Sequence, residues 1–213
     1  MEKVVIPIFS DPSLHPLHEN NSLSAMYVKP LGESSDIFAT EHSDGVRDWD
    51  PSTLDDDIIL TPNKKFLLCA HQYEKVYDMD LLSYYLHNTP LDLEDVRVEA
   101  VEFISNRYYD LPNTNELVPL YKHLEVCDKV SKEIEKVWNA RSSVDWESYE
   151  RYNNEAITAF ASIDRNGVRI SESFDSKLDK HVSDGKLYSD YFLYTSTGRP
   201  SNSYGGLNFA ALD

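Results

Sequence analysis

A polar, glycine-containing stretch near the end of this 213-residue sequence has the residue types best suited to contact nucleic acid. It covers residues 194–202 and is followed by a second glycine-rich segment at residues 205–208. Glycines let a backbone approach a sugar-phosphate chain closely, and hydroxyls, amides and the planar guanidinium of Arg199 can donate hydrogen bonds to phosphate oxygens. The pattern indicates a nucleic-acid contact loop, and an ordinary polar tail is the alternative interpretation.

The order of these residues resembles a signature of a known enzyme family. Thr197-Gly198-Arg199-x-Ser201, with Leu207-Asn208 after a short spacer, is similar to the T-G-R-x-S...N-L-x-N segment that opens the palm in the DNA polymerase A family. The variant looks most like the polymerases of bacteriophages. In that family the segment contacts the primer-template duplex.

The resemblance implies six DNA-binding residues in this chain. They are Thr197, Gly198, Arg199, Ser201, Asn202 and Asn208. The sequence departs from the family at Pro200, which replaces the usual leucine, and at Gly206 and Phe209, which replace two asparagines.

A second segment, residues 159–170, supports the same family. Its apolar positions have helical spacing, Asn166-Gly167 is a helix stop, and Val168-x-Ile170 alternates as in a short strand. It resembles the L-x-x-I-E-x-N-G-V-x-I-D element with which the polymerase domain of the family begins. Only residues 171–194 separate it from the first segment, so we expect the family's thumb to be absent or reduced to one helix near residues 173–182.

The elements that must position these segments are predicted from hydrophobic periodicity. Residues 4–9, 23–28 and 37–40 predict strands, and the continuous apolar run at 66–70 predicts a strand buried on both faces. Helices are predicted over residues 76–86, 93–104, 117–138 and 146–163. Strands followed by helices favour an α/β or α+β fold with a mixed sheet.

That order resembles the ribonuclease H-like 3'-5' exonuclease domain which precedes the polymerase in this family. Residues 76–86 are similar to its F-D-T-M-L-x-S-Y-L-L helix, and Leu14-His15-Pro16-Leu17 stands where the family has G-L-D-P-L. The resemblance implies a degenerate exonuclease-like domain over residues 1–140 and the beginning of the polymerase domain over residues 141–213.

Such an exonuclease binds two magnesium ions through four carboxylates, because hard divalent cations need oxygen ligands. The family's D-x-E pair aligns with Ile8 and Ser10 in this sequence, so both ligands are missing. Asp11 could replace one of them only after a local shift of the chain. Glu74 best matches the second motif, and the last motif places either Val126 or Asp128 at its aspartate. The degenerate candidates are Asp11, Glu74, Asp78 and Asp128. We predict no bound metal and no exonuclease reaction, with these residues serving as surface acids.

Charge opposes DNA binding, because the formal net charge is −17 and a duplex repels acidic surfaces. The acidity is uneven: residues 1–138 hold 26 acidic and 12 basic residues, whereas residues 139–213 hold 11 and 8. The segments that resemble DNA-contact elements therefore lie in the nearly balanced part.

In the family, the palm aspartates and the fingers lie downstream of the T-G-R segment. This chain alone is therefore expected to lack nucleotidyltransferase activity and to act in DNA replication as part of a DNA-directed DNA polymerase. It would be either a truncated piece or a subunit of a split enzyme, partnered with the palm and fingers and with primer-template DNA. Mg²⁺ is expected only for the complete polymerase. The alternative is an acidic protein-interaction module of a replication complex that does not bind DNA.

Other features bound the remaining possibilities. No apolar run has the length of a membrane span, and the first residues lack the plan of a signal peptide, so we expect a cytoplasmic protein, in the host cytoplasm if phage-encoded. Cys69 and Cys127 are expected to be buried thiols, with a disulfide or a metal site as alternatives. His15 and His18, in a proline-containing turn, are expected to face solvent.

Overall fold

The computed structural model describes residues 1–9, 11, 14–39, 50–92, 120–171, 181–192 and 201–203. The helix predicted over residues 93–104 and most of the predicted DNA-contact residues lie outside these ranges. Within them, no helix combines the length and apolar character that a bilayer crossing requires.

A five-stranded mixed sheet forms the centre of the described structure. In chain order its strands are β1 (Glu2–Phe9), β2 (Leu23–Pro30), β3 (Asp36–Ala39), β4 (Ile58–Thr61) and β5 (Val76–Asp78). The spatial order is β3-β2-β1-β4-β5. Strands β1, β2 and β3 pair antiparallel, whereas β4 pairs parallel with β1 and with β5. The mixed α/β class, the mixed sheet and the first three predicted strands are confirmed.

The helices follow the sheet closely in the chain. They are α1 (Lys64–Ala70), α2 (Met79–His87), α3 (Leu120–Asn139), α4 (Trp146–Tyr149) and α5 (Glu155–Asn166). A π-helical turn at Glu150–Asn154 joins α4 to α5, so residues 146–166 form one helical segment with a local widening. The helix predicted over residues 117–138 is confirmed from residue 120 onward, since residues 117–119 lie outside the described ones, and the helix predicted over residues 146–163 is confirmed. The π-helical turn was not predicted.

Both faces of the sheet are covered, because alternate residues of β1, β2 and β4 enter separate cores. Val4 and Ile6 of β1 pack in one core with residues of α2 and α3, and with Tyr149 at the end of α4. Val5 packs in the other core with Leu67 of α1 and Ala161 of α5. The helical segment 146–166 thus contributes to both cores of the sheet.

The strand predicted at residues 66–70 is wrong, because these residues belong to helix α1. Asn63 caps that helix by accepting a hydrogen bond from the backbone N–H of Phe66 at its side-chain oxygen, at 3.1 Å. The strand buried on both faces is instead β4, with Ile59 and Leu60 fully buried. A short apolar run fits a buried strand and a buried helix equally well, and only the cap distinguishes them.

The helix predicted from residue 76 begins three residues later than expected. Val76 to Asp78 form β5, and α2 starts at Met79 because the Asp78 carboxylate accepts from the N–H of Leu81 at 2.9 Å. Helix α2 ends at His87 and is followed by the C-cap Asn88, whose φ of +59° is the left-handed conformation common after a helix C-terminus.

Gly167 ends α5 in a conformation that favours glycine. Its φ is +59°, and a Cβ atom there would lie 3.1 Å from ring carbons of Tyr188. Strand β6 (Val168–Arg169) follows at once. The helix, glycine stop and short strand predicted from residues 159–170 are therefore confirmed.

A small second sheet completes this region. Strand β6 pairs with β8 (Lys186–Leu187), which also pairs with β7 (Val182–Ser183). Asp184 and Gly185, both with positive φ, form the turn between β7 and β8. Asp-Gly is a strong hairpin signal in a sequence, although this turn was not predicted. Of the helix predicted near residues 173–182, residues up to 180 lie outside the described ones and Val182 is in a strand.

The two cysteines are free thiols. Cys127 is buried, as predicted, and its burial raises the pKa of the thiol. Cys69 is only partly buried, because it lies near the end of the short helix α1.

Asp78 joins the starts of two helices, and its removal should cost more than the loss of one cap. Its carboxylate accepts from the N–H of Lys64 at 2.8 Å and from the N–H of Leu81, and the residue is buried. We expect Asp78→Ala to lower the free energy of unfolding by about 2–4 kcal/mol, measured by urea denaturation, because both buried N–H groups lose a charged acceptor.

Asp145→Ala is the matched control, since Asp145 caps α4 by accepting from the N–H of Ser148 at an exposed position. The control should cause a clearly smaller loss of stability. Equal losses in the two variants would contradict the double-cap role of Asp78.

Candidate nucleic-acid interface

A two-stranded hairpin frames the segment that was predicted to contact DNA. Strand β9 (Asp190–Phe192) pairs antiparallel with β10 (Ser201–Ser203), with Phe192 opposite Ser201 and Tyr191 opposite Asn202. Residues 193–200 connect the paired strands along the chain. The pairing was not predicted, although Tyr191, Phe192 and the following Leu-Tyr form a run with high strand propensity ahead of a Gly and Pro turn signal.

The structure places the six predicted DNA-binding residues as follows. Ser201 and Asn202 lie in β10, where their backbones pair with β9. The other four, Thr197, Gly198, Arg199 and Asn208, lie outside the described residues.

A buried lysine attaches this hairpin to the main sheet layer. The Lys65 ammonium, on α1, lies 2.9 Å from a carboxylate oxygen of Asp164 on α5 and donates to the carbonyl oxygen of Tyr191 on β9 at 2.5 Å. The side chains of Lys65 and Asp164 are 7% and 2% exposed, so the ion pair is almost free of solvent. The ring of Phe160 lies 5.9 Å from the ring of Tyr191 on the same side. Helix α1, helix α5 and strand β9 are thus held at one point.

A second junction connects the turn at residues 14–21 to the small sheet. The backbone N–H of Glu19 donates to the hydroxyl of Ser183 at 3.0 Å, and the ring of His15 stacks on that of Tyr188 with centroids 5.0 Å apart. The prediction that His15 and His18 face solvent is wrong: both are buried, because the turn packs between α1 and the small sheet. Burial, with the charge of Lys65 as a smaller cause, lowers the pKa of His15 to about 3.

A third set of contacts fastens the π-helical turn. The Lys64 ammonium donates to the side-chain oxygen of Asn154 at 2.9 Å and to its carbonyl oxygen at 3.3 Å. Burial lowers the pKa of Lys64 to about 8, against the opposing influence of Asp78 and Glu150. Tyr77 donates its hydroxyl hydrogen to Glu150 in the same turn. With its ammonium bound to Asn154 and its side chain buried, Lys64 has a structural role.

The candidate exonuclease carboxylates have separate environments. Asp78 caps two helices, and Asp128 on α3 accepts from the hydroxyl of Tyr27 at 2.6 Å. Glu74 is exposed between α1 and β5, and Asp11 follows β1, where its N–H donates to Asn21 at 2.9 Å. In the described part of the chain, no three His, Cys, Asp or Glu side chains form a group that could bind a metal ion. The prediction that these four are surface acids is wrong for Asp78, which is buried.

The positions where the family's other exonuclease ligands would fall are apolar where the structure describes them. Ile8 is buried in β1, and Val126 is buried on α3 in the same core. Ser10 lies outside the described residues.

Three residues that position the hairpin and the helical segment were not predicted from the sequence: Lys64, Lys65 and Asp164. The two lysines precede an apolar run, which is typical of a solvated helix start, and Asp164 lies at the end of an amphipathic helix. No short-range pattern indicates that residues 99 apart in the chain form a buried ion pair.

In comparisons with known proteins, no family model matches this sequence and no curated protein matches it.

The Lys65–Asp164 ion pair generates a prediction about stability. We expect Lys65→Met to lower the free energy of unfolding by about 3–5 kcal/mol, because the buried carboxylate of Asp164 would lose the ammonium that lies 2.9 Å away. The double variant Lys65→Met/Asp164→Leu should recover much of that loss, since the buried carboxylate is then removed together with the ammonium. Urea denaturation measures both, with the exposed Lys132→Met on α3 as a control expected to change little. A double variant no more stable than Lys65→Met would contradict this account.

The burial of His15 generates a prediction about pH. The pKa of His15 is about 3 in the folded protein, and the ordinary value for histidine is 6.5. Between pH 3 and pH 6.5, His15 is therefore protonated in the unfolded chain and neutral in the folded protein. Stability should therefore fall as the pH falls below about 6.5, at about 1.4 kcal/mol per pH unit for this one group.

Denaturant unfolding between pH 7.5 and 5, above the range where most carboxylates titrate, measures this slope. His15→Phe, which keeps an aromatic ring against Tyr188, should flatten the profile, and His87→Phe at an exposed position should leave it unchanged. Parallel profiles for the wild type and His15→Phe would refute the assignment.

Proposed function

We propose that this chain is the N-terminal part of a phage-type family A DNA polymerase acting in DNA replication. Residues 1–140 would be an inactive exonuclease-like scaffold and residues 141–213 would begin the polymerase domain and contact primer-template DNA. The observation that carries the proposal is the β9–β10 hairpin, which frames the T-G-R segment and is fastened to the sheet through Lys65. Nucleotidyl transfer then requires a palm and fingers, downstream or on a separate polypeptide.

The arrangement of the described elements supports this proposal. A meander of three antiparallel strands followed by two strands parallel to the first is compatible with a ribonuclease H-like fold. Helix α5, the stop at Gly167 and strand β6 have the geometry expected of the element with which the family's polymerase domain begins. The short spacing from this element to the hairpin fits a polymerase portion without a helical thumb.

The scaffold role rests on the carboxylates. Asp78 and Asp128 already accept protein hydrogen bonds, and Ile8 occupies the interior of β1 where a magnesium ligand would be required. Two metal ions need several converging carboxylates, because one or two cannot neutralise their charge. The domain would therefore position DNA and partners and leave the strand uncut.

The charge distribution favours a second candidate function. An excess of acidic residues over residues 1–138 suits a module that binds a basic surface of a replication protein. In that case the sheet domain would be the functional part and the hairpin would have no DNA role.

DNA binding tests the proposal. We expect the purified chain to bind a fluorescent primer-template duplex, with an affinity that falls steeply as salt increases. Arg199→Ala should weaken binding and reduce the slope of log K against log salt by about one, because one phosphate contact is lost. Arg151→Ala is the matched control, since Arg151 is exposed on the π-helical turn with its guanidinium 5.3 Å from the ring of Tyr152.

Two outcomes would contradict the proposal. An absence of binding at low salt, with tight capture of a replication protein, would favour the interaction module. Cleavage of a single-stranded oligonucleotide with magnesium or manganese, abolished by Asp128→Ala, would show that the scaffold is a working exonuclease.

A further inference from the structure

The small sheet brings two basic side chains directly opposite each other. Arg169 of β6 is paired in register with Lys186 of β8. Residues directly opposite in an antiparallel pair lie on the same face, with Cβ atoms about 5 Å apart. Their neighbours in register, Val168 and Leu187, lie on the other face, and Leu187 is buried. The two cations are therefore together on the side away from Leu187.

These cations have no anionic partner among the described residues. Neither Arg169 nor Lys186 forms an ion pair in the described part of the chain, and Arg165, exposed at the end of α5, forms none there either. Like charges directly opposite on a sheet destabilise it. The chain has 37 acidic residues that could have paired with these cations. The like-charge pair therefore destabilises the folded chain by itself and would favour the binding of an external anion.

The surrounding structure holds the pair in place while leaving it accessible. Tyr188, which follows β8, is stacked on His15, and Gly167 before β6 packs against the same ring. Arg169 is exposed and Lys186 is partly exposed. The turn between β7 and β8 is open, because a Cβ atom on Gly185 would meet no atom within 4 Å.

The pair is also tied to the hairpin β9–β10. Only Tyr188 and Ser189, both buried, separate β8 from β9 in the chain, and β9 is bound to Lys65. The position of the basic pair relative to strand β9 is therefore set by buried contacts.

We infer that Arg169 and Lys186 contact neighbouring phosphates of the nucleic-acid strand that the hairpin β9–β10 engages. This inference rests on the proposed function and adds a second contact to it. A guanidinium binds phosphate oxygens in a bidentate manner and an ammonium adds a point charge, so the pair recognises the backbone without regard to base sequence.

Charge-matched double variants test the inference with the primer-template duplex. Arg169→Ala/Lys186→Ala should weaken binding at least tenfold at low salt and reduce the slope of log K against log salt by about two, because two phosphate contacts are lost. Arg151→Ala/Lys132→Ala removes the same charges from exposed positions on the π-helical turn and α3 and should leave the slope unchanged. Along the helical segment, at about 1.5 Å per residue, Arg151 is about 20 Å from the end of α5, where β6 begins, so the control variant is remote from the basic pair.

Two single variants separate phosphate binding from a structural role. Asp184→Asn should strengthen binding, because it removes the exposed acid beside the pair and asparagine tolerates its positive φ of 51°. Lys186→Glu should weaken binding more than Lys132→Glu while leaving the urea midpoint equal to or above that of the wild type, because it replaces a like-charge pair with an opposite-charge pair. A structural role alone predicts no change in binding for Asp184→Asn.

The possible failures are distinguishable. In one outcome the wild type binds the duplex, Arg199→Ala weakens that binding, and Arg169→Ala/Lys186→Ala has the same affinity as its control double variant. That outcome would overturn the inference and keep the proposed function. No binding by the wild type at low salt would overturn both.

Discussion

The described structure depends on one buried charge, the ammonium of Lys65. Away from water an ammonium is stable only with an anion and further acceptors, and Lys65 has both in Asp164 and the carbonyl of Tyr191. These partners come from α5 and β9, which are far from α1 in the chain. Satisfying one cation therefore requires that the helical segment and the hairpin dock on the sheet layer together.

The other polar junctions follow the same logic. Asp78 satisfies N–H groups at the starts of α1 and α2, and Lys64 satisfies the carbonyl oxygen of Asn154 in the π-helical turn. His15 stays neutral because its burial against Tyr188 makes protonation unfavourable. These charged and polar side chains thus connect helices and strands to one another. The basic pair of Arg169 and Lys186 makes no such connection through an ion pair among the described residues.

Local patterns predicted much of the architecture. The strands around Val5 and Met26 and the long helices after residue 117 have strong periodicity, and Asn-Gly marked the end of α5 correctly. The error at residues 66–70 arose because a helix of seven residues buried on most sides has no polar face to reveal its period. The late start of α2 arose because Asp78 caps the helix from the end of a strand, a role that depends on where β5 pairs.

For the candidate site, the sequence by itself determined the residue types: a T-G-R segment with hydroxyls and amides, and an acidic first part. Those properties belong to the covalent chain and need no fold. Only the tertiary structure decided that the segment lies between paired strands, that Lys65 anchors them, and that Arg169 faces Lys186. Ion pairing and strand register join residues distant in the chain, and no periodicity within a short window contains that information.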